Sequence, residues 1–401
     1  MVQWRRNLWF LSIAVFIANL SFTLNMPFLP RFLEELGLEK NLSLWSGIMI
    51  SVNFVTYAIM APIWGSLADL HGKRVMFMRS GFGIAVTYVF MGLAANHWQL
   101  FIFRAMNGLL SGFIPSAIMF VATNTPEEDM GYALGILNTF IALGGIMGPF
   151  MGGAMVQYLG LRMIFYISAG LLFIASALAV FGTKERIIKQ AVKVNLWQDL
   201  KSIMANRSLK VYFFCMVMLQ GATYMIQPIL PIRIAELTRG NVELITGIIF
   251  SVIGISLAIG SPLVCKIKKA NYVTILLGGL LLCALLSVVQ GLTYSVLLLG
   301  VQRFLFGFAN AAVNVSGNVL ITQCAGEEMR GRVFGTLNGL TAFGAVFGPL
   351  MGGFLGEHLG TPSAFHGSAV LFVLAGYAVW KIRHKAVDVL KSRVETCSCL
   401  E

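Results

Sequence analysis

Two arginines stand inside apolar stretches of the 401-residue chain: Arg104 in "FIFRAMNGLLSG" and Arg303 in "GVQRFLFGF". An arginine at the centre of a membrane helix costs ~2.5–3.5 kcal/mol to insert, so it is expected to face water and to work there. Arg104 is placed for such work. Arg303 lies nearer the end of its stretch, where a long side chain can instead snorkel to the surface. Acidic residues avoid these stretches: Glu34, Glu35, Asp69, Glu236 and Glu357 all fall at ends. Glu34 is the best placed to carry a proton if its helix continues unbroken past Pro30; otherwise it is an interfacial anchor. Amides and hydroxyls form the third group. Asn19 with Thr23, Asn107 with Ser111, Gln220 with Tyr224 and Gln227, and the ladder Asn310, Asn314, Asn318 each occupy one helical face. Such stripes either line a polar cavity or make interhelical hydrogen bonds, worth ~0.6 kcal/mol each. No segment has metal-ligand spacing, a nucleophile beside its base, or a phosphate loop, so no metal, no cofactor and no enzymatic reaction are expected.

The elements that must hold these residues are membrane helices. Apolar residues make up 57% of the chain and charged ones 11%, against roughly 25% charged in a soluble domain. Twelve runs are long enough to cross a bilayer: 8–34, 43–66, 75–94, 98–121, 132–157, 162–182, 210–235, 243–265, 272–291, 295–320, 332–356 and 364–382. The first has a basic lead but no small-residue cleavage site, and reads as a retained helix rather than a signal peptide. With both termini inside, cytoplasmic segments hold 22 of the 29 Lys and Arg, while the outer loops hold Arg31, Lys40, Arg162, Arg233 and Arg239. That is the positive-inside bias. The net charge of +12 is thus accounted for by loops beside anionic lipid, with no nucleic-acid partner.

The chain also repeats itself. "GPFMGG" at 148–153 returns as "GPLMGG" at 348–353. At the same offset Gly144, Gly148, Pro149, Gly152 and Gly153 match Gly344, Gly348, Pro349, Gly352 and Gly353, and Leu159-Gly160 matches Leu359-Gly360. With a slip of one, "PFLP" (27–30) matches "PILP" (228–231) and Arg104 with Gly108 matches Arg303 with Gly307. The chain therefore divides into two all-α six-helix bundles, 1–182 and 209–382, with a basic linker at 183–208 and a tail at 383–401. Leu196, Leu200, Ile203 and Met204 give the linker an amphipathic face suited to the membrane surface. Two like-oriented halves suit rocking about a central site, with the glycine-proline clusters as close packing points or hinges.

Several segments resemble one family. "GSLADLHGKRV", from Gly65 through Asp69, Gly72, Lys73 and Arg74 to Val75, resembles the loop signature of the major facilitator superfamily. "RAMNGLLSG" is similar to its helix-4 arginine motif, and "GGIMGPFMGG" to the helix-5 motif of its twelve-helix drug:proton antiporters. "MPFLPRFLEELGL", "WSGIMISV" and "APIWGSLAD" look nearest to the MdtG-type multidrug efflux group. The resemblance implies the major facilitator fold, a cavity lined by helices 1, 4, 7 and 10, and a part for Arg104 in proton coupling. A cavity with arginine and amides but no carboxylate favours neutral or anionic amphiphiles, unless Glu34 reaches it. The 30 Phe and 20 Met suit adaptable apolar contacts.

Departures from the motif suggest a latch. Leu70 and Met130 stand where the family has arginines, while the second half keeps Arg330. Asp69 is then expected opposite Arg330, Arg332 and the helix-11 N-terminus, with Lys266, Lys268 and Lys269 opposite Glu127, Glu128 and Asp129. The expected protein is a monomeric multi-pass inner-membrane transporter with cytoplasmic termini, exporting small amphiphiles against protons. The alternatives are flipping of a lipid-linked precursor, metabolite export on the same scaffold, or a non-transporting sensor.

Overall fold

A computed structural model describes residues 3–185, 206–267, 271–325 and 330–398, with the backbone alone at Asp69, 330–332 and 383–398. Its spans are α1 (Gln3–Glu35), α2 (Leu42–His71), α3 (Lys73–Leu93), α4 (His97–Asn124), α5 (Glu127–Leu159) and α6 (Leu161–Gly182). The second set is α7 (Arg207–Leu237), α8 (Val242–Cys265), α9 (Tyr272–Gly291), α10 (Val296–Cys324), α11 (Arg330–Leu359) and α12 (Thr361–Ser398). All twelve helices are long and apolar enough to cross a membrane, and there are no strands among the described residues. The final helix runs on through most of what the sequence sets off as a tail. The amphipathic face of the linker lies outside the described residues.

Each half closes around its own apolar core. In the first, Leu11, Leu24, Phe32, Phe77, Phe113, Phe120 and Phe165 are buried together. In the second, Tyr212, Leu280, Phe306 and Phe372 form one cluster, and Met225, Ile234 and Phe365 another. Large apolar side chains such as Ile59, Val86, Phe90, Phe173, Leu281 and Leu285 point outward and stay exposed. On a membrane protein that band meets acyl chains, which explains how so apolar a chain leaves so much of itself uncovered.

The helix boundaries follow from local chemistry. Asn96, Asn206 and Asn271 cap α4, α7 and α9 by accepting backbone N–H groups of the following turn. The repeated Leu-Gly pair ends α5 and α11 at Gly160 (φ 82°) and Gly360 (φ 83°), a left-handed conformation that favours glycine. The Pro-x-x-Pro copies break α1 and α7 alike. α1 stops at Leu24, passes through a 3-10 turn at Met26–Phe28 and resumes at Leu29–Glu35, and α7 divides into Arg207–Ile226 and Leu230–Leu237. Proline removes a donor and clashes with the preceding turn.

The glycine-proline clusters explain how the halves meet. A Cβ on Gly144, Gly148 or Gly152 would strike the carbonyl of Phe16, Leu20 or Leu24, one after another along α1. On Gly344, Gly348 and Gly352 it would strike Val217, Gly221 and Met225 along α7. That face binds α5 and α11 to their own halves. The other face crosses over: Gly153 abuts Glu243 and Leu244 of α8, and Gly353 abuts Ser43 and Leu44 of α2. Gly47 and Gly247 in turn lie against the carbonyls of Pro349 and Pro149. Ser51 Oγ donates to Val346 O at 2.7 Å, and Ser251 Oγ to Ile146 O at 2.6 Å. The bundle is thereby sealed at the end opposite the termini. At the termini-bearing end, a Cβ on Gly65, Gly131, Gly135, Gly335 or Gly339 would meet nothing within 4 Å. The same helices are packed at one end and parted at the other.

Candidate functional site

α4 is not one helix. It runs His97–Leu110, breaks at Ser111 and Gly112 (φ 136°), and resumes at Phe113–Asn124. A helix end leaves its last carbonyls without partners. Here Arg79 Nη1 and Nη2 donate to Leu110 O (3.1 Å) and Ser111 O (3.2 Å), while Trp64 Nε1 donates to Leu109 O (2.6 Å). The Arg79 guanidinium also lies 3.5 Å from the Trp64 ring centroid, within cation–π range. Neither residue was apparent as functional in the sequence. The available signal was Gly112 followed by Pro115, a pair with no counterpart in α10, which stays continuous.

The break opens a cleft of about 330 Å³ between α1, α2, α3 and α4. Arg104 lines it and is 6% exposed, with Nε and Nη2 lacking any partner. Asn107 is fixed beside it, donating to Thr87 Oγ1 (2.8 Å) and accepting from Asn53 Nδ2 (2.9 Å); Asn53 also donates to Arg104 O (3.3 Å). Asn19, Thr23, Ser111 and Tyr224 reach the same cleft. Asn19 Nδ2 donates to Ile141 O at 2.7 Å, Thr23 Oγ1 to Asn19 O at 2.8 Å, and Ser111 Oγ to Asn107 O at 2.9 Å.

A second cleft of about 250 Å³ lies between the halves, among α1, α5, α7, α8 and α10. It shares Thr23, Met26 and Tyr224 with the first and is lined also by Gln227 and Arg303. Arg303 does not snorkel. It is 3% exposed, its Nε and Nη2 have no partner, and it sits 5.5 Å and 5.9 Å from the ring centroids of Phe365 and Phe306. No carboxylate among the described residues lines either cleft.

The remaining expected residues fall elsewhere. Asn310 Nδ2 donates to Thr223 Oγ1 at 3.3 Å and so ties α10 to α7, while Asn314 donates to Asn310 one turn earlier in α10. Asn318 accepts at its carbonyl from Thr322, and Gln220 lies alongside Gly344. Glu34 does not reach either cleft. The break at Pro27 and Pro30 leaves it at the sealed rim, 41% exposed and 2.6 Å from Arg31 Nη1. Glu35 pairs with Arg162 (3.0 Å), Glu236 with Arg233 (2.9 Å), and Glu357 accepts from the backbone N–H of Ser43 (3.1 Å). Arg233, expected in an outer loop, is buried in the last turns of α7, where Nη2 donates to Thr293 O (2.9 Å). Arg31 also approaches Glu243 of the other half at 3.6 Å, but its side chain is 60% exposed. Such a pair adds only ~0–1 kcal/mol to the seal.

The motif loop is anchored by the start of the linker and the end of α6. Gly72 (φ 90°) starts α3, and the Glu185 carboxylate accepts the backbone N–H groups of Lys73 (2.8 Å) and Arg74 (2.9 Å). Arg74 Nε donates to Val180 O at 2.7 Å. Glu185 was not singled out in the sequence, because nothing in the linker's charge run distinguishes it from its neighbours. The pairing of Asp69 with Arg330 and Arg332, and that of Lys268 and Lys269 with α5, lie outside the described side chains.

Comparison with known proteins agrees with this architecture. Residues 11–301 and 212–396 match the Major Facilitator Superfamily. The chain is similar to the multidrug resistance protein MdtG of Rahnella sp., 33% identical over 96% of this chain and 95% of that protein. It is 36% identical to MdtG of Proteus mirabilis, over 92% and 94%. A bacterial homolog of the human lysosomal transporter Spinster, inward-facing and occupied, superposes with a TM-score of 0.79 at 15% identity, covering 95% and 97%. The human organic anion transporter MFSD10 does so with 0.67 at 20%, covering 94% and 100%. Likeness at that identity speaks for the fold alone, but the relatives of higher identity span both halves. Twelve duplicated spans, the helix-2/3 loop and the arginine-bearing α4 have one common explanation: the chain belongs to the major facilitator superfamily.

Proposed function

We propose that this chain is a secondary transporter that exports small amphiphilic compounds by alternating access, in exchange for protons. The observation that carries the reading is a pair of buried arginines, one from each half, lining adjoining clefts in a bundle sealed at one end. The relatives' name, multidrug resistance protein, favours export of drug-like solutes. The Lys and Arg distribution favours cytoplasmic termini, which makes the sealed end the outer one and gives the clefts access from the cytoplasm. Arg104 is the coupling residue in this reading: an uncompensated buried cation whose tolerance changes as protons and substrate enter and leave. Glu34, Glu35, Glu236 and Glu357 stand at the outer rim, where protons arrive. The clefts themselves select neutral or anionic amphiphiles, because a cation would meet Arg104 and Arg303 with no carboxylate to offset them.

Purified protein in liposomes tests this. A fluorescent amphiphile is expected to accumulate under an imposed pH gradient, and the gradient should be consumed as it does. An uncoupler should abolish both. Lipid translocation independent of any gradient would replace this reading by the lipid-flipping one, and an unchanged distribution of every amphiphile under proton and sodium gradients alike would remove transport altogether.

The cytoplasmic latch belongs to the same cycle. Asp69 stands at the inner end of α2 and Arg330 begins α11; their attraction would hold the inner ends together while the outer seal opens. Asp69→Arg is expected to stop transport, and adding Arg330→Asp to restore most of it. Failure of the double variant with both proteins correctly inserted would count against the pairing.

A further inference from the structure

The two arginine clefts descend from one repeated unit, and their divergence is informative. In each half a glycine four residues after the arginine lets the neighbouring helix approach: Gly108 lies against Asn53 O and Thr56 Oγ1, and Gly307 against Ile253 O and Ser256 Oγ. Asn53 and Ile253 are repeat-equivalent. In the first half Asn53 ties Asn107 and the arginine's own backbone into a polar network. In the second that network is gone, and Ile253 presents an apolar wall to the cleft holding Arg303.

Arg303 is therefore a guanidinium with unspent donors at the edge of a greasy cleft. Its Nε and Nη2 face no acceptor, and its planar group lies within cation–π range of Phe306 and Phe365. Leaving a buried charged donor without a partner is costly, so the arrangement persists where something supplies the acceptor. No residue of the cleft does so with a carboxylate. A planar guanidinium with free N–H groups matches two oxygens of a carboxylate or phosphoryl group. Met26, Phe250 and Ile253 opposite it offer adaptable apolar surface for the remainder of a ligand.

We propose that Arg303 is the substrate-anion site: it binds the carboxylate or phosphoryl head of an amphiphile whose apolar body lies against Met26, Phe250 and Ile253. The assignment rests on the transport reading above for its biological sense, but binding alone tests it. Decyl phosphate and decanol share an apolar tail and differ in the head. Equilibrium binding of each, radiolabelled, to the full purified chain should favour decyl phosphate by at least ~10-fold, the usual weight of a charge-assisted contact. Arg303→Gln should erase that margin while leaving decanol binding within about twofold, and Arg303→Lys should keep part of it. If Arg303→Gln folds poorly, Gln227→Glu places a carboxylate in the same cleft and should abolish the preference with Arg303 still present. Unchanged preference in both variants overturns the proposal. A protein that prefers decyl phosphate through Arg303 yet moves nothing in liposomes would sustain this site and sink transport. One that transports but shows no such preference would do the opposite.

Discussion

Gly47→Val, and equally Gly247→Val, is expected to unseal the end of the bundle opposite the termini and reduce transport to background. A side chain at either position would begin on top of a backbone carbonyl, Pro349 O for Gly47 and Pro149 O for Gly247, with the Cα of Gly353 or Gly153 also 3.2 Å away. Backbone cannot step aside as a flexible side chain can. Overpacking of this kind costs ~1–3 kcal/mol, and the cost falls only on the sealed arrangement, because the apolar cores of the halves lie elsewhere. A bias of that size shifts a two-state population roughly 5–150-fold. The readout is Ser51, 2% exposed and bonded to Val346 O across the seam. Ser51→Cys alone should react slowly with a membrane-impermeant maleimide added from outside. The same cysteine beside Gly47→Val should react faster by a factor within that range. Equal labelling rates with normal transport would show that this seam does not govern access.

Arg104→Gln should abolish pH-driven transport while raising the thermal stability of the purified protein. The two halves of that result come from one cause. Arg104 is 6% exposed with two N–H positions unpartnered, so its charge weakens the resting fold by something like the ~2.5–3.5 kcal/mol that a mid-membrane arginine costs. Glutamine removes the charge and keeps a polar end for Asn107 and Tyr88 nearby. A residue kept for packing would lower the melting temperature when replaced; one kept for function at the expense of stability should raise it. Arg104→Lys should not rescue coupling, since an ammonium lacks the planar fork. Full pH-driven transport by Arg104→Gln would remove the residue from the coupling mechanism.

Much of this architecture was legible before any coordinates. Span number and the repeat follow from hydropathy and from glycine and proline positions, which act locally: a run of some twenty apolar residues must be helical in lipid whatever surrounds it. The matched Leu-Gly ends at Gly160 and Gly360 belong to the same class, whereas the breaks of α1 and α7 at the Pro-x-x-Pro copies fall inside runs that read as continuous. The expectation that Arg104 lines a cleft was legible too, because the cost of burying a charge is a property of the residue and its depth. What was not legible depends on which helix faces which. The Asn ladder reads equally well as cavity wall or helix tie, and only the position of Thr223 opposite Asn310 selects the tie. Glu34 looked able to reach the cavity until the bend of α1 set it beside Arg31. Arg303 reads as free to snorkel, and only the packed bundle shows it buried near Phe306 and Phe365. Arg79 and Glu185 gave no warning at all, since each serves a helix end contributed by a distant segment.

The amino-acid order by itself thus determined twelve helices, their duplication and the presence of two costly cations among them, because each is set by the free energy of residues in lipid. The three-dimensional packing alone decided which end is sealed, that α4 breaks where Arg79 can satisfy it, and that both arginines face clefts without a carboxylate. Those outcomes depend on pairings between different helices, from about thirty positions apart at the α4 break to nearly three hundred across the seal, and no local energy specifies them.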